Sequence, residues 1–244
     1  MHLLSLSYDL HIHSCLSPCG DGDSTPANIV GMAVVKELDV IALCDHNTSK
    51  NCPAAKKVAD AYGVTFISGM EITTAEEVHV VCLLPTVEKA LELDEYVSAR
   101  LLPVTNDPLL FGEQLIMDYD DNITGTEPRL LINATSISFD EVFPLLESLG
   151  GVAIPAHIDK STNSLLSNLG FIPPDSVFRT VEVKNAELFG KLVKEHEYLN
   201  SCKMITNSDA HYIQDINEPV NFLHVQERSP KGVIEALRNP GIFR

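Results

Sequence analysis

Apolar and polar residues alternate along this chain in short blocks that predict strands and helices in turn. Patterns typical of strands, either apolar throughout or alternating with period two, occupy residues 5–13, 39–44, 64–70, 80–84, 151–156, 176–183, 203–206 and 220–225. Apolar residues at helical spacing predict helices over residues 27–38, 53–62, 87–101, 140–149 and 230–238. Strands that alternate with helices indicate an α/β fold with a parallel sheet or barrel.

Polar side chains stand at the ends of most of these predicted strands. His11 and His13 lie two residues apart on the first strand, so their side chains point to the same side. Asp209 and His211 repeat this spacing after residues 203–206. Functional groups of α/β folds collect at the carboxyl ends of the strands. We therefore expect one cluster there, which also includes Asp45, His46, Glu71 and His157.

His79 precedes the predicted strand over residues 80–84 instead of following one. It reaches the same cluster if residues 71–84 fold back as a hairpin over the strand ends. Six of the nine histidines then share one setting, and the others, His2, His196 and His224, are interpreted as incidental.

This cluster predicts a metal centre. A single histidine beside a core strand is more often a satisfied core residue than a ligand. Six imidazoles with the carboxylates of Glu71 and Asp209, however, would leave costly unpaired groups if they were buried without cations. Imidazole and carboxylate ligands suit Zn, Mn or Fe, and their number indicates at least two ions with Glu71 as a bridge.

Composition limits the choice of partners. The 244 residues suffice for a single domain over residues 1–244, and the net charge is −17. Duplex binding needs a basic surface, so we expect a small phosphorylated substrate and no extended nucleic-acid surface.

No segment is apolar enough for a membrane span. Six cysteines without a recognisable secretory signal indicate reduced thiols and a cytoplasmic protein. The oligomeric state stays open.

The strand–helix rhythm weakens over residues 86–139. We interpret this stretch as an insertion that covers the cleft, because long loop-rich insertions are often lids or binding loops. A surface elaboration without a role fits the sequence equally well.

Six short motifs occur in order along the chain: DLHIHS at 9–14, CDHN at 44–47, GMEI at 69–72, VHV at 78–80, AH at 156–157 and NSDAH at 207–211. With them the sequence resembles the PHP (polymerase and histidinol phosphatase) domain family, and within it the stand-alone metal-dependent phosphoesterases. The resemblance implies a distorted (β/α)7 barrel, similar to a TIM barrel, with a trinuclear metal centre at the carboxyl ends of the strands.

The resemblance also implies a ligand set for two to three divalent ions. It assigns the first ion to His11, His13, Glu71 and Asp209 and the second to Glu71, His79 and His157. The third would be held by His46 and His211 with one ligand from the loop after His13. Relatives often carry a histidine in that loop, whereas this chain has Cys19, whose thiolate would favour zinc or iron. Asp21 or Asp23 could substitute, the third site could be partly empty, or Cys19 is an ordinary reduced thiol.

The expected function is a metal-dependent phosphoesterase that hydrolyses a small-molecule or nucleotide phosphomonoester through a metal-bridging hydroxide. Two alternatives remain, a phosphodiesterase or exonuclease on a cyclic nucleotide or oligonucleotide end, and a non-catalytic, metal-stabilised binding module. Asp9 and Asp45 are expected to orient ligand histidines. The expected phosphate-binding residues are Lys160 and Arg129, and the expected catalytic residues are Glu71, His157, Asp209 and His211.

Overall fold

Ten strands and eight α-helices follow one another along residues 3–242, the part of the chain that this computed structural model describes. The strands are β1 (Leu4–Ile12), β2 (Val40–Leu43), β3 (Thr65–Thr73), β4 (His79–Leu84), β5 (Leu115–Met117), β6 (Ile123–Thr126), β7 (Val152–Pro155), β8 (Thr180–Glu182), β9 (Lys203–Ile205) and β10 (Phe222–Val225). The α-helices are α1 (Pro26–Val35), α2 (Cys52–Tyr62), α3 (Val87–Ser98), α4 (Pro108–Phe111), α5 (Phe139–Ser148), α6 (Leu165–Asn168), α7 (Ala186–Glu195) and α8 (Pro230–Arg238).

The main sheet is mixed and has the strand order β10-β1-β2-β3-β4-β7. Strands β1, β2 and β3 run parallel, whereas β10 and β4 run antiparallel to their neighbours. A separate parallel pair, β8 and β9, lies between the β7 edge of this sheet and β1. The Ile158 N–H donates to Glu182 O at 2.9 Å on one side, and Ala210 bridges Ile12 on the other. The strands therefore form a curled half-barrel.

This architecture confirms the predicted α/β class. Strands β3 and β4 are joined without an intervening helix, so the finer count of seven β/α units stays a prediction. The hairpin expected over residues 71–84 is confirmed, because β3 and β4 pair antiparallel and place His79 opposite Thr73.

Local signals explain where the helices begin and end. The Thr25 side chain caps α1 by accepting from the Asn28 N–H, and Pro26 occupies the first turn, where no N–H is needed. Helix α2 ends at Gly63, whose φ of 73° lies in the left-handed region that glycine adopts without strain.

Residues 86–139 divide into a core part and a covering part. Helix α3 buries Ala90, Leu93 and Val97 completely against the sheet. The hairpin of β5 and β6 instead lies over the loops that follow β1 and β2. There the Leu115 N–H donates to Cys15 O at 3.0 Å, and the Met117 N–H donates to Asn51 Oδ1 at 2.9 Å. That the whole segment is an insertion or a lid stays a prediction.

The structure differs from the predicted elements around α7. The strand expected over residues 176–183 is only Thr180–Glu182, because residues 173–176 form a turn. Helix α7 was not predicted, and none of its residues is fully buried. No helix within residues 3–242 combines the length and the apolar character that a bilayer crossing requires.

Candidate metal centre

The eight predicted histidine and carboxylate ligands converge on one buried cluster. His11 lies in β1, Glu71 in β3 and His79 at the start of β4, while the others follow β1, β2, β7 and β9. Six of them are buried, while Asp209 and His211 are of intermediate burial, with side chains that are 6% and 24% exposed. The residues of this cluster, called the metal centre below, are His11, His13, His46, Glu71, His79, His157, Asp209 and His211.

Glu71 is the middle of this centre. Its carboxylate lies within 3.5 Å of five imidazoles: 3.0 Å from His46 Nδ1 and His79 Nδ1, 3.2 Å from His157 Nε2, 3.4 Å from His11 Nε2 and 3.5 Å from His13 Nε2. His46 Nδ1 and Glu71 Oε2 approach each other without hydrogen-bond geometry, and both lack a hydrogen-bond partner within residues 3–242. Unpaired buried atoms of this kind are costly. They fit metal ions, which take several such atoms as ligands.

Three overlapping sets of ligand atoms within the centre are close enough to hold an ion. One contains His11, His13, Glu71 and Asp209, as the resemblance implies. The other two sets are His46, Glu71 and His79, and His13, His46 and His211. Glu71, His13 and His46 each belong to two sets, so ions bound in this centre would be close neighbours. His157 contacts Glu71 but belongs to none of the three sets.

The charges in the centre shift the pKa values of its members in opposite directions. Burial raises the pKa of Glu71, but the imidazoles of His79, His11 and His46 outweigh burial and hold it well below its usual range. Burial lowers the pKa of His11, yet Glu182, Glu71 and Asp209 raise it well above the ordinary value. A carboxylate that stays ionised is the form that binds a cation.

His13 behaves in the opposite way. Burial and the neighbouring His211 and His46 hold its pKa well below the ordinary value, so its imidazole is neutral at pH 7. Because a metal binds the neutral imidazole, His13 is already in the binding form.

Glu182 is a functional residue that sequence reasoning missed. It accepts from His11 Nδ1 at 3.0 Å, from Asn207 Nδ2 at 2.6 Å and from the His157 N–H at 3.1 Å. One buried carboxylate thus orients the His11 ring and the loop that begins at His157. The available signal was a glutamate at the end of an apolar strand.

The two aspartates expected to orient ligand histidines have different surroundings. Asp45 accepts from Ser17 Oγ at 2.7 Å, and Ser17 contacts His13 Nδ1 at 3.0 Å. Asp9 accepts from the backbone N–H groups of Ser208 and Asn217, so it orders the loop that carries Asp209.

Backbone strain occurs at the same place. His157, Asp209 and Asn47 have φ values of 29°, 53° and 53°, in the left-handed region that side chains other than glycine rarely adopt. Asn47 is held there by its side chain, which donates to the carbonyls of Leu131 and Asn133.

The loop after His13 places Cys19 at the surface. Local desolvation and the charges of Glu71 and Asp209 raise the pKa of its thiol to about 12. Cys19, Asp21 and Asp23 belong to none of the three ligand sets within residues 3–242. Asp21 instead accepts from the Asp23 N–H, and its own N–H donates to His211 O.

The two expected phosphate-binding residues have different surroundings. Lys160 Nζ lies 2.6 Å from Asp209 Oδ2, and its side chain is 39% exposed at the edge of the centre. Arg129 donates to Glu127 at 2.8 Å and to Ser98 O at 2.6 Å. The structure thus brings Lys160 to the metal centre and engages Arg129 elsewhere.

The remaining histidines stay apart from the centre. His196 lies at the carboxyl end of α7, and His224 lies in β10 opposite Ser5. His2 lies outside the described residues.

Comparison with known proteins agrees with this geometry. The family model described as the PHP domain matches residues 9–236. The chain belongs to the PHP domain family. PHP domains are metal-dependent hydrolases of phosphoester bonds, so the expectation of such an enzyme is confirmed at the level of the family.

This chain covers only part of the length of the individual relatives. A 5'-3' exoribonuclease of Haemophilus influenzae is 37% identical over 83 residues, which is 33% of this chain and 29% of that protein. The lesion-specific endonuclease PfuEndoQ of Pyrococcus furiosus has a TM-score of 0.66 and 19% identity over 97% of this chain and 56% of that one. Endonuclease Q bound to a 27-mer duplex with an abasic lesion has a TM-score of 0.67 and 18% identity, over 97% and 57%.

These relatives contradict the expected partners. The expectation was a small phosphorylated substrate and a protein without an extended nucleic-acid surface. The curated relative acts on RNA, and one solved neighbour is bound to a DNA duplex. The argument from net charge was wrong because it averages the whole surface. A nucleic-acid strand can be held locally, by cations in one cleft.

Proposed function

We propose that this chain hydrolyses phosphodiester bonds at the ends of nucleic-acid strands, with divalent ions in the metal centre. One observation carries this proposal. The Glu71 carboxylate faces five imidazoles inside overlapping ligand sets, which suits adjacent ions that act together on one phosphate. Membership of the PHP domain family and the likeness to a 5'-3' exoribonuclease support it.

The centre would hold two to three ions of Zn, Mn or Fe. His11, His13, Glu71 and Asp209 would hold one, and Glu71 with His79 and either His46 or His157 would hold the next. His13, His46 and His211 would hold a third, with Cys19 as the nearby thiol ligand. When bound, such ions polarise phosphoryl oxygens and acidify water. In this arrangement the centre lies at the carboxyl ends of the strands of a (β/α)7 barrel.

The residues of the chain have separate roles in this proposal. Glu71, Asp209, His157 and His211 would be ligands of the metal ions that act on the reacting phosphate. Lys160 presents an ammonium group at the exposed edge of the centre, 2.6 Å from Asp209, where a phosphoryl oxygen can bind to it. Glu182 and Asn207 keep the His11 ring in position through buried hydrogen bonds.

Within residues 86–139, the part that ends before Glu127 would act as a cover for the bound strand end. The hairpin of β5 and β6 supports this role, because it lies against the loops at Cys15 and Asn51. The loop at Cys15 also carries Ser17, which contacts His13. The loop at Asn51 also carries His46.

The test is hydrolysis of short single-stranded RNA and DNA oligonucleotides with a 5'-phosphate by the metal-loaded chain. We expect mononucleotides to be released and at least two ions per chain by plasma mass spectrometry. The Glu127→Gln variant is the matched control, because Glu127 is a buried carboxylate outside the metal centre. A fully metal-loaded chain that leaves every diester intact would contradict the proposal.

A further inference from the structure

A polar cleft of about 470 Å³ lies directly beside the metal centre. One wall of the cleft is formed by Asn207, Ser208 and Asp209, and the cleft shares this wall with the metal centre through Asp209, which belongs to both. The Asn207 amide donates to Glu182 at 2.6 Å, while Asp209 lies 3.4 Å from His13. Residues 207–209 therefore connect the cleft with the ligand atoms. Its volume is in the range of about 300–1,000 Å³ that is usual for small-ligand pockets.

Two lysines converge on this shared wall. Lys160 Nζ contacts Asp209, and Lys184 Nζ donates to the backbone carbonyl of Ser208. The net charge of the chain is −17, with only 17 basic residues, so two ammonium groups at consecutive wall residues are a local exception. They fit a phosphate group that passes from the metal centre into the cleft.

The outer wall of the cleft offers hydrogen-bonding groups that the fold does not use. The side chains of Asp215 and Asn217 have no hydrogen bond within residues 3–242. The Asn185 side chain accepts from the Glu187 N–H, which leaves its amide N–H groups available. Asn221, by contrast, exchanges two hydrogen bonds with Thr206.

The chemistry of these walls favours a sugar over a base. No aromatic side chain lines the cleft in the described part of the chain, so the usual platform for stacking a nucleobase is missing. A carboxylate that only accepts and an amide that both accepts and donates suit hydroxyl groups, which do both.

We propose that this cleft binds the ribose of the nucleotide next to the scissile phosphate, with Asp215 and Asn217 hydrogen-bonded to its 2'-hydroxyl group. This inference rests on the proposed function and names its substrate as RNA. The 2'-hydroxyl is the group by which a protein distinguishes RNA from DNA. A site that hydrogen-bonds a hydroxyl discriminates strongly against the analogue that lacks it.

The first experiment compares kcat/KM of the metal-loaded full chain for 5'-phosphorylated diadenosine dinucleotides, one with ribose and the others with deoxyribose at either or both positions. We expect the ribonucleotide to be cleaved about tenfold faster or more, with one deoxyribose position accounting for most of the loss. Asn217→Ala and Asp215→Ala should reduce this preference towards one by slowing only the ribonucleotide. Asn217→Ala preserves the backbone N–H that donates to Asp9.

The matched control is Asn200→Ala, which removes an exposed amide outside the cleft and should leave the ratio unchanged. Melting temperatures of all variants show whether each is folded. The subsite proposal is overturned if all four dinucleotides are cleaved equally, or if neither cleft variant changes the ratio.

A second readout does not depend on turnover. Calorimetric titration of the metal-loaded chain with 5'-AMP and 5'-dAMP should show about tenfold tighter binding of AMP, and Asn217→Ala should remove this difference. If none of the four dinucleotides is cleaved, the proposed function fails, and the titration alone decides the subsite. Equal affinities for the two nucleotides, or no binding of either, would then overturn it.

Discussion

Two buried carboxylates of this protein have opposite surroundings. Glu127, 3% exposed, accepts from Arg129 Nε at 2.8 Å, from the Arg129 backbone N–H at 3.2 Å and from Lys50 Nζ. Glu71, 1% exposed, faces five imidazoles and retains an oxygen without a hydrogen-bond partner in the described residues. Permanent cations complete the first site, whereas titratable imidazoles leave the second able to accept a metal ion.

The comparison also distinguishes a cation that stabilises the fold, Arg129, from a cation at the edge of the metal centre, Lys160. Arg129 neutralises Glu127 and ties it to Ser98 O at 2.6 Å, so its guanidinium serves the fold. Lys160 and Asp209 form an ion pair that stays partly exposed at the edge of the metal centre. A partly solvated ion pair contributes little stability, which agrees with the substrate-binding role that we propose for its lysine.

The largest expected effect comes from Glu71→Gln. Removing the shared anionic ligand should lower metal content below about half an ion per chain and phosphodiester hydrolysis by about 10³-fold or more. Glu127→Gln should keep the wild-type metal content and retain activity within about threefold, since its carboxylate touches no ligand. Plasma mass spectrometry and hydrolysis rates measure both. Equal losses in the two variants would abolish the distinction between the two carboxylates.

A smaller loss is expected for Glu182→Gln. This substitution weakens the hydrogen bond that orients the His11 ring, and changes of this kind usually cost about 10- to 100-fold in metal affinity or activity. Competition with a chromophoric chelator measures the affinity. An unchanged affinity together with unchanged kcat would show that His11 needs no support from Glu182.

The two cations that were expected to bind phosphate should now behave differently. Lys160→Met should raise KM for an oligonucleotide about tenfold, since a charge-assisted hydrogen bond to phosphate is lost. Arg129→Met should change KM by less than about twofold. Steady-state kinetics on the same oligonucleotide test both variants. A tenfold rise in KM for Arg129→Met would restore its expected role in substrate binding.

The smallest effect concerns the stability contributed by Glu127. Burial raises the pKa of this carboxyl, but Arg129 and Lys50 outweigh burial and lower it. The ion pairs therefore stabilise the fold above the unfolded-state pKa of about 4.3, and this contribution is lost as the pH falls through the lowered folded-state value. Glu127→Gln should cost about 1 kcal/mol in free energy of unfolding at pH 7, because the cations are partly solvated.

Urea unfolding at pH 7, 5 and 3.5 measures this difference. It should stay constant between pH 7 and 5 and shrink at pH 3.5. A cost that increases towards acid pH would mean that Glu127 is protonated in the folded protein.

Much of the metal centre could be predicted because its ligands carry local signals. His11 and His13 share one side of a strand through the period-two alternation, and His46 and His157 each follow a short apolar run. The position of His79 depended on a hairpin between neighbouring segments, which the structure confirms. Short-range patterns of this kind are set by backbone geometry and burial, so they can be read from sequence.

Other features had no local signal. Glu182 contacts His11 although the two residues are 171 positions apart in the sequence. Arg129 was equally suited by its chemistry to bind a phosphate or a carboxylate, and only packing next to Glu127 decided between them. The net charge, a sum over the whole chain, was misleading because Lys160 and Lys184 converge on two consecutive residues.

The sequence by itself determined the α/β class, the strand ends that carry the clustered histidines and carboxylates, and the donor chemistry of that cluster. These properties follow from side-chain periodicity and donor chemistry, which belong to single segments. Only the tertiary structure decided which imidazoles meet Glu71, which carboxylate orients His11 and which polar cleft adjoins the metal centre. Contacts between segments distant in sequence depend on how the elements pack, and no local pattern specifies that packing.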